Sequence, residues 1–335
     1  MSNLASKSVL AIDIGGTNTR FGVIDVEGRL IGEMNTCPVP FRVDGSADED
    51  ELIALIQQQL KQARQTTDLL PAIGISLCGN VERSSGEAVL VPNLHWANVP
   101  FGQMIRDRCG IEVQIATDVR QAALAEALWG AARGRRNFLW ATVGTGYGGY
   151  LFLNGRLYGG AHGFAGNFGH TPLDDIDGYM CGCGHRGCVE TFVSGPAIAR
   201  AGQIAVAKQQ SLILTKMADS NQGQVTAPMV FSACDAGDET AQRILDRVTF
   251  LICQNLGGAV NLLDLELIIF GGGVCNGSEW FVEGIDRRIR DFLMTAEARR
   301  DLRIVRESFP DSALWGAAGD VFANYDIIGT SLLEP

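Results

Sequence analysis

Two stretches of this chain, VLAIDIGGTNTRFGVID (9–25) and LWATVGTGYGGYLFLNG (139–155), follow one pattern: an apolar strand, a Gly/Thr turn and a second apolar strand. Two copies of one supersecondary unit, about 130 residues apart, predict an internally duplicated architecture. A third glycine cluster, LIIFGGGV (267–274), ends another apolar run and precedes the amphipathic stretch Glu279–Met294. Helical patterns fill the intervals. Asp48–Arg64 starts acidic and ends basic, as the helix dipole favours. Val119–Arg133 is rich in Ala and Leu, and Ser194 is placed to cap Pro196–Lys208. Asp238–Leu263 is the longest candidate, with Gly257 and Gly258 as a place to bend, and Ala313–Asn324 closes the chain. Residues Thr215–Pro228 read as a polar connection. Strands that alternate with helices predict an α/β fold with two sheets. A length of 335 residues predicts two domains.

The most specific chemical signal is GHTPLDDIDGYMCGCGHRGC (169–188). His170, Cys181, Cys183 and Cys188 make a complete tetrahedral zinc set that leaves no position for water, so the metal is expected to be structural. Gly182, Gly184 and Gly187 let the backbone turn tightly between the ligands. The other six cysteines are scattered, as buried thiols are. The cysteine count is nine, which is odd and argues against a disulfide framework. Asn167 and Glu190 flank the set on either side.

Composition narrows the partners. Hydrophobic residues are 46% and charged residues 19%, as in a globular protein. The net charge of −11 argues against a nucleic-acid surface, which needs clustered Lys and Arg. A phosphorylated ligand stays open, because backbone amides bind phosphate without basic side chains. The first residues hold no apolar core long enough for a signal peptide, and no apolar run suits a membrane helix, so a cytoplasmic protein is expected.

DIGGTNTR (13–20) is a turn whose glycines, Gly15 and Gly16, let backbone N–H groups approach an anion, with Thr17 and Asn18 adding side-chain donors. Asp13 at the strand end is placed to hold Mg2+ through water. A plain β-hairpin accounts for Gly-Gly equally well. TVGTGYGG repeats the chemistry with Gly144, Thr145 and Gly146, and two such turns suit a polyphosphate. No lysine follows the glycines, so neither is a Walker loop. Asp118 follows the strand VQIAT and starts a helix. It reads either as an N-cap or as a base that orients a hydroxyl toward a γ-phosphate.

DIGGTNTR, TVGTGYGG, the GH…CGCGHRGCVE loop and IIFGGGV together resemble the ROK family of sugar kinases and sugar-responsive repressors, over about Ala11 to Gly319. The resemblance implies the actin/hexokinase-like fold: two ribonuclease-H-like domains, with ATP and sugar in the cleft between them. The small domain would be 1–119 with about 313–335, and the large domain 120–312 would carry the zinc loop. By the same resemblance, Asp13, Gly15, Gly16 and Thr17 match the first phosphate motif and Gly144, Thr145 and Gly146 the second. Gly271, Gly272 and Gly273 match the adenosine side. Asp118 matches the catalytic base, usually acting on the sugar's 6-hydroxyl. Asn93, His170 and Glu190 match sugar contacts, His170 using one ring nitrogen for Zn2+ and the other for the sugar. The family implies ATP with Mg2+, and dimers are common in it.

Three positions depart from the family pattern. Thr117 replaces the usual Asn before the base, Arg120 stands where Asn is common, and Asn167 replaces the usual Glu. Thr117 and Asn167 fall where sugar hydroxyls are read. GAHGFAGNFGHTPLDD and TRFGV most resemble the D-allose kinase branch, with N-acetylmannosamine and glucose kinases as alternatives. A non-catalytic sugar sensor is the rival class. The phosphate motif begins at Asp13, leaving no room for the repressors' helix-turn-helix domain, so a kinase is expected. Arg120 is expected on the surface, Trp129 and Trp315 in the core, and Trp96 either in the core or beside the sugar.

Overall fold

The computed structural model describes residues 7–174, 178–328 and 332–333. The ends of the chain at 1–6, 329–331 and 334–335, which belong to the predicted small domain, and residues 175–177 of the cysteine loop lie outside the described residues. The chain divides into two compact units, one of 1–134, 155–157 and 308–335, the other of 135–154 and 158–307.

The first unit grows from the predicted hairpin. Strand β1 (Ser8–Ile14) is buried at every position, as an apolar run in a sheet covered on both faces must be. It pairs antiparallel with β2 (Asn18–Ile24), which pairs with the exposed edge strand β3 (Leu30–Pro38). On its other side β1 runs parallel to β4 (Leu69–Leu77). A separate three-stranded sheet holds β5 (Asn80–Glu82), β6 (Glu87–Val91) and β7 (Trp96–Val99). Strand β8 (Glu112–Thr117) then joins β4 in parallel, giving the order β3-β2-β1-β4-β8. Helices α1 (Glu49–Thr66), α2 (Phe101–Cys109) and α3 (Asp118–Leu128) complete this part of the chain. Asp48 caps α1 by accepting from Asp50 N and Glu51 N.

The second unit repeats the plan. Its sheet holds β9 (Phe138–Val143), β10 (Tyr147–Leu153), β12 (Leu267–Gly271) and β13 (Arg303–Arg306), with β11 (Arg156–Tyr158), of which Arg156 and Leu157 group with the first unit, in the order β11-β10-β9-β12-β13. Strand β9 is antiparallel to β10 and parallel to β12, as β1 is to β2 and β4. The sheet-by-sheet match is the duplication that the two glycine hairpins predict, in the actin/hexokinase-like α/β fold. Its helices are α4 (Glu190–Val193), α5 (Gly195–Ala207), α6 (Leu212–Asp219), α7 (Ala227–Asp235), α8 (Glu239–Leu263), α9 (Gly273–Asn276), α10 (Glu279–Ile289) and α11 (Ala296–Asp301). Helix α8 is unbroken at Gly257, where a Cβ would lie 2.6 Å from Phe292 Cβ, so that glycine serves packing. The last helix, α12 (Ser312–Asn324), belongs to the first unit.

Three expectations change. Arg120 is buried at 1% exposure and pairs with Asp320 of α12 at 3.2 Å. The Ala-rich face that carries it packs wholly inside, leaving a charge only a buried partner can accept. The first unit extends past Val119 to Gly134, because α3 packs along α12. Within Thr215–Pro228, residues through Asp219 are helical and α7 begins at Ala227: Ser211 caps α6, and Leu214 and Ala218 are buried. Trp96 is core, 2% exposed, with Nε1 donating to the Ala47 carbonyl at 2.9 Å. Trp129 and Trp315 are half-buried, and each donates its indole N–H to a backbone carbonyl. Among the described residues no helix is long and apolar enough to cross a membrane.

The seat of α12 on β4 depends on Gly74, where a Cβ would fall 1.9 Å from the Ala317 carbonyl oxygen. Both atoms belong to backbone, so nothing flexible can yield. Gly74→Ala is expected to cost about 1–3 kcal/mol, the usual range for overpacking. Urea denaturation measures this, and an unchanged midpoint would show that the helix simply moves aside.

Candidate active site

In the first unit the predicted site residues gather at the carboxyl ends of three parallel strands, where open α/β sheets bind ligands. The register aligns Ile14 with Leu77 and Leu77 with Thr117, so Asp13, Cys78 and Asp118 come to one edge. Asp13 is 9% exposed; its Oδ1 accepts from Ser76 Oγ at 2.7 Å and its Oδ2 from Arg20 Nη1 at 3.3 Å. Arg20 also reaches Asp311 at 3.2 Å. Burial pushes the Asp13 carboxyl above its ordinary value, against the bonds from Ser76 and Arg20. The turn closes by Gly15 N donating to Asn18 O at 3.0 Å. Asn93 packs onto Gly16, where a Cβ would lie 2.9 Å from Asn93 Cβ.

Asp118 is the first residue of α3, and the N-cap is Thr117, whose side chain makes no capping bond. The capping reading of Asp118 is therefore set aside. Its Oδ1 accepts from Val119 N at 2.9 Å. Burial first, and then the charge of Asp13, push its pKa up to about 6. The neighbouring Thr117 hydroxyl is shielded and has no partner among the described residues. Cys78 receives a hydrogen bond from Asn93, and burial, with the charges of Asp118 and Asp13, pushes its thiol up to about 12.

In the second unit the turn between β9 and β10 closes by Gly144 N donating to Gly146 O at 2.9 Å. Gly144 O accepts from Gly195 N, the first amide of α5, at 2.7 Å. Glu190 lies against this turn: its Oε2 accepts from Tyr147 N at 2.9 Å, and a Cβ on Gly146 would meet that oxygen at 2.8 Å. Thr145 is exposed at the tip. Gly271 pairs with Thr142, and Gly272 takes φ +90° where a Cβ would strike Thr142 Oγ1 at 2.4 Å, so the position needs glycine on both counts.

His170 is positioned by two glycines laid on β10. A Cβ on Gly169 would fall 1.7 Å from Tyr147 O, and one on Gly166 2.4 Å from Gly149 O. Its Nδ1 stands 3.5 Å from Cys181 Sγ, Cys183 Sγ is 3.6 Å from Cys188 Sγ, and the four donor atoms lie within 4.8 Å of one another. Zinc–sulfur bonds of about 2.3 Å imply sulfur–sulfur edges of about 3.7 Å in a tetrahedron. The donor set thus fits a four-coordinate metal in both chemistry and spacing. Cys181 Sγ also approaches Glu190 Oε1 at 3.5 Å, tying this cluster to the turn. Asn167 accepts from His170 N at 3.0 Å through its backbone carbonyl, while its side-chain amide donates to the Phe164 carbonyl at 3.0 Å.

Sequence patterns thus locate two clusters: Asp13, Gly15, Gly16, Asn93, Thr117 and Asp118 in one unit, and Gly144, Gly146, His170, Glu190 and the cysteines in the other. They miss Ser76, Arg20 and Cys78 as neighbours of the carboxylates. A polar Ser76 in the apolar run AIGISL is a signal, but only the strand register turns it into a contact.

The comparisons agree with this geometry. The model of the ROK family matches residues 9–321. The glucokinase of Thermotoga maritima is 27% identical over 92% of this chain and 96% of its own length. The N-acetylmannosamine kinase of Yersinia pestis is 33% identical over 79% of this chain and 82% of its own. The crystal structure of a ROK family glucokinase from Streptomyces griseus, in complex with glucose and AMPPNP, superposes with a TM-score of 0.77 at 28% identity, over 94% of this chain and 98% of that one. With the family model matched over residues 9–321, nearly the full length, the chain belongs to the ROK family.

Proposed function

We propose that this protein transfers the γ-phosphoryl group of ATP to the 6-hydroxyl of an aldohexose. It is an ATP-dependent sugar kinase, and the observation that carries its chemistry is Asp118: an uncapped-role carboxylate, raised to about 6 beside Asp13 at the end of parallel strands. Such a pKa suits a base at neutral pH, ionised yet more basic than an exposed carboxylate. Asp118 takes the proton as the sugar oxygen bonds to phosphorus and the bond to the ADP oxygen breaks. The Gly15–Asn18 and Gly144–Gly146 turns supply amides for the phosphates, and Gly271–Gly273 supports the adenosine side. Asp13 keeps free lone pairs beyond its bonds to Ser76 and Arg20, so it fits a water-mediated contact to Mg2+. Bound magnesium neutralises phosphate charge.

Asn93, Thr117, Asn167, His170 and Glu190 read the sugar in this proposal, and Zn2+ on His170, Cys181, Cys183 and Cys188 holds the loop. The unpartnered Thr117 hydroxyl supports its role, since a shielded hydroxyl without a partner gains most from a ligand bond. D-allose is the favoured hexose, with glucose and N-acetylmannosamine as competitors. The protein is expected to act in the cytoplasm as a homodimer. An ADP-release assay across these three sugars tests the reading. One sugar is expected to exceed the others in kcat/KM by about tenfold or more, as a site of fixed hydroxyl partners discriminates epimers. No turnover with any hexose, in metal-loaded protein, would overturn it.

A further inference from the structure

The second unit contains a cavity of about 430 Å3 separate from the residues assigned above, bordered by α5, the first turns of α8 and the cysteine loop. Its size lies in the range of small-molecule sites. In a chain of net charge −11, three arginines border it. Arg243 and Arg247 stand one turn apart on α8, so they share a face, and Arg200 comes from α5. Arg200 is held in place: its guanidinium carbon lies 3.8 Å from the centre of the Tyr179 ring, and Nη2 donates to the Thr191 carbonyl. Arg243 donates to Thr240 Oγ1 at 2.8 Å, and its one ion pair among the described residues is with Glu239, at 3.9 Å across an exposed pair. Among the described residues, no carboxylate lies within ion-pair distance of Arg200 or Arg247. The same two helices also supply an apolar part of the lining, Ile204 from α5 and Ile244 and Leu251 from α8.

We propose that this cavity binds a phosphate monoester, the phosphoryl group on the arginines and the organic body on the apolar wall. Three guanidiniums call for a ligand of more than one negative charge, and a phosphate monoester near neutral pH carries almost two. Guanidinium forks match its oxygens in geometry as well as charge. The apolar wall favours an ester over free phosphate. The cavity also touches the proposed sugar side. Tyr179 precedes Cys181 in the loop and packs against Phe192, with ring centroids 5.8 Å apart, and Phe192 belongs to α4, which begins at Glu190. An occupant that braces Tyr179 and Phe192 steadies Glu190; this consequence rests on the sugar-kinase reading, and it predicts a lower KM for the sugar.

Phenyl phosphate is a suitable probe, because it is neither substrate nor product of the proposed reaction. Calorimetric titration of the metal-loaded full chain is expected to show saturable binding, weaker for inorganic phosphate. Arg247→Gln and Arg200→Gln are each expected to weaken phenyl phosphate binding about tenfold or more, in line with loss of a charge-assisted bond, with kcat unchanged in its absence. Arg247 is exposed on its helix, so that variant should fold even if loss of the Arg200–Thr191 bond disturbs the other. No binding, or binding undiminished in both variants, would overturn the site. Equal affinity for inorganic phosphate would overturn the ester assignment. Variants that change the oligomeric mass while phenyl phosphate fails to bind would make the cavity a subunit interface. An unchanged sugar KM on saturation would remove the link to Glu190, and because calorimetry needs no turnover, failure of the kinase reading would be seen separately.

Discussion

Asparagine at position 118 is expected to lower kcat by about 10²–10⁴-fold, the usual contribution of a positioned acid or base, while sugar and ATP still bind. The structure indicates why binding should survive. Asp118 accepts a single bond from Val119 N, which an asparagine oxygen can also accept, and the helix does not rely on it for capping. What the substitution removes is the ability to take a proton. The same carboxyl, acting as the proposed base, should set the pH profile. Its pKa, raised by burial and by Asp13 to about 6, makes kcat/KM fall as pH drops through 6, toward tenfold per pH unit below it. Near-normal turnover in Asp118→Asn, or an acid limb near the ordinary carboxylate value of 3.8, would return Asp118 to a structural role.

Stability should move the other way. Because the folded pKa lies above the unfolded one, the folded state holds the proton more tightly, and the ionised carboxylate costs stability. That cost is fully present above about 6 and is relieved as pH falls from 6 toward 3.8. Asp118→Asn removes it, so the variant is expected to be more stable than the parent at pH 7.5 by up to about 3 kcal/mol, two pKa units at 1.36 kcal/mol each. The advantage should vanish near pH 4. A mutation that abolishes turnover and stabilises the fold is the mark of a group kept for chemistry at a structural cost.

Local spacing made the repeated parts readable and hid those that depend on register. The glycine hairpins at 15–17 and 144–146 announce themselves by repeating one strand–Gly/Thr–strand pattern, and the antiparallel pairs β1–β2 and β9–β10 follow from them. The cysteine spacing likewise declares a site whose donor atoms converge. Cys78 looked like one more core thiol because nothing in its neighbourhood, SLCGN, refers to Asp118. Only the pairing of Leu77 with Thr117 brings the two together. Arg120 was misplaced for the same reason: its partner Asp320 lies on the last helix, and a charged residue with an unknown distant partner reads as surface. The helical part of 215–228 was hidden by polar residues on the outer face of a short helix whose two buried residues, Leu214 and Ala218, stand one turn apart.

Removing the proposed Zn2+ from the cysteine cluster should weaken sugar binding about tenfold to a hundredfold, the scale on which outer-sphere partners of metal sites act, before it unfolds the chain. Nδ1 of His170 faces Cys181, which leaves Nε2 for a sugar hydroxyl, and a metal on Nδ1 fixes that orientation. Cys181 also approaches Glu190, so the cluster steadies two proposed sugar contacts together. Without the metal the loop still has backbone bonds from Leu173 N to Gly187 O and from Val189 N to Thr171 O. The large apolar core of the second unit lies mostly in the sheet and in α5 to α10. The loop should therefore loosen while the unit stays folded. Nucleotide affinity should hold, because the Gly271–Gly273 segment rests on β9 rather than on the loop. Calorimetric titration with sugar before and after chelation, with metal content and circular dichroism followed in parallel, separates the outcomes. Unchanged sugar affinity in metal-free, folded protein would show that His170 and Glu190 are held by the backbone alone. Loss of structure together with loss of sugar binding would make the metal a requirement of the whole unit.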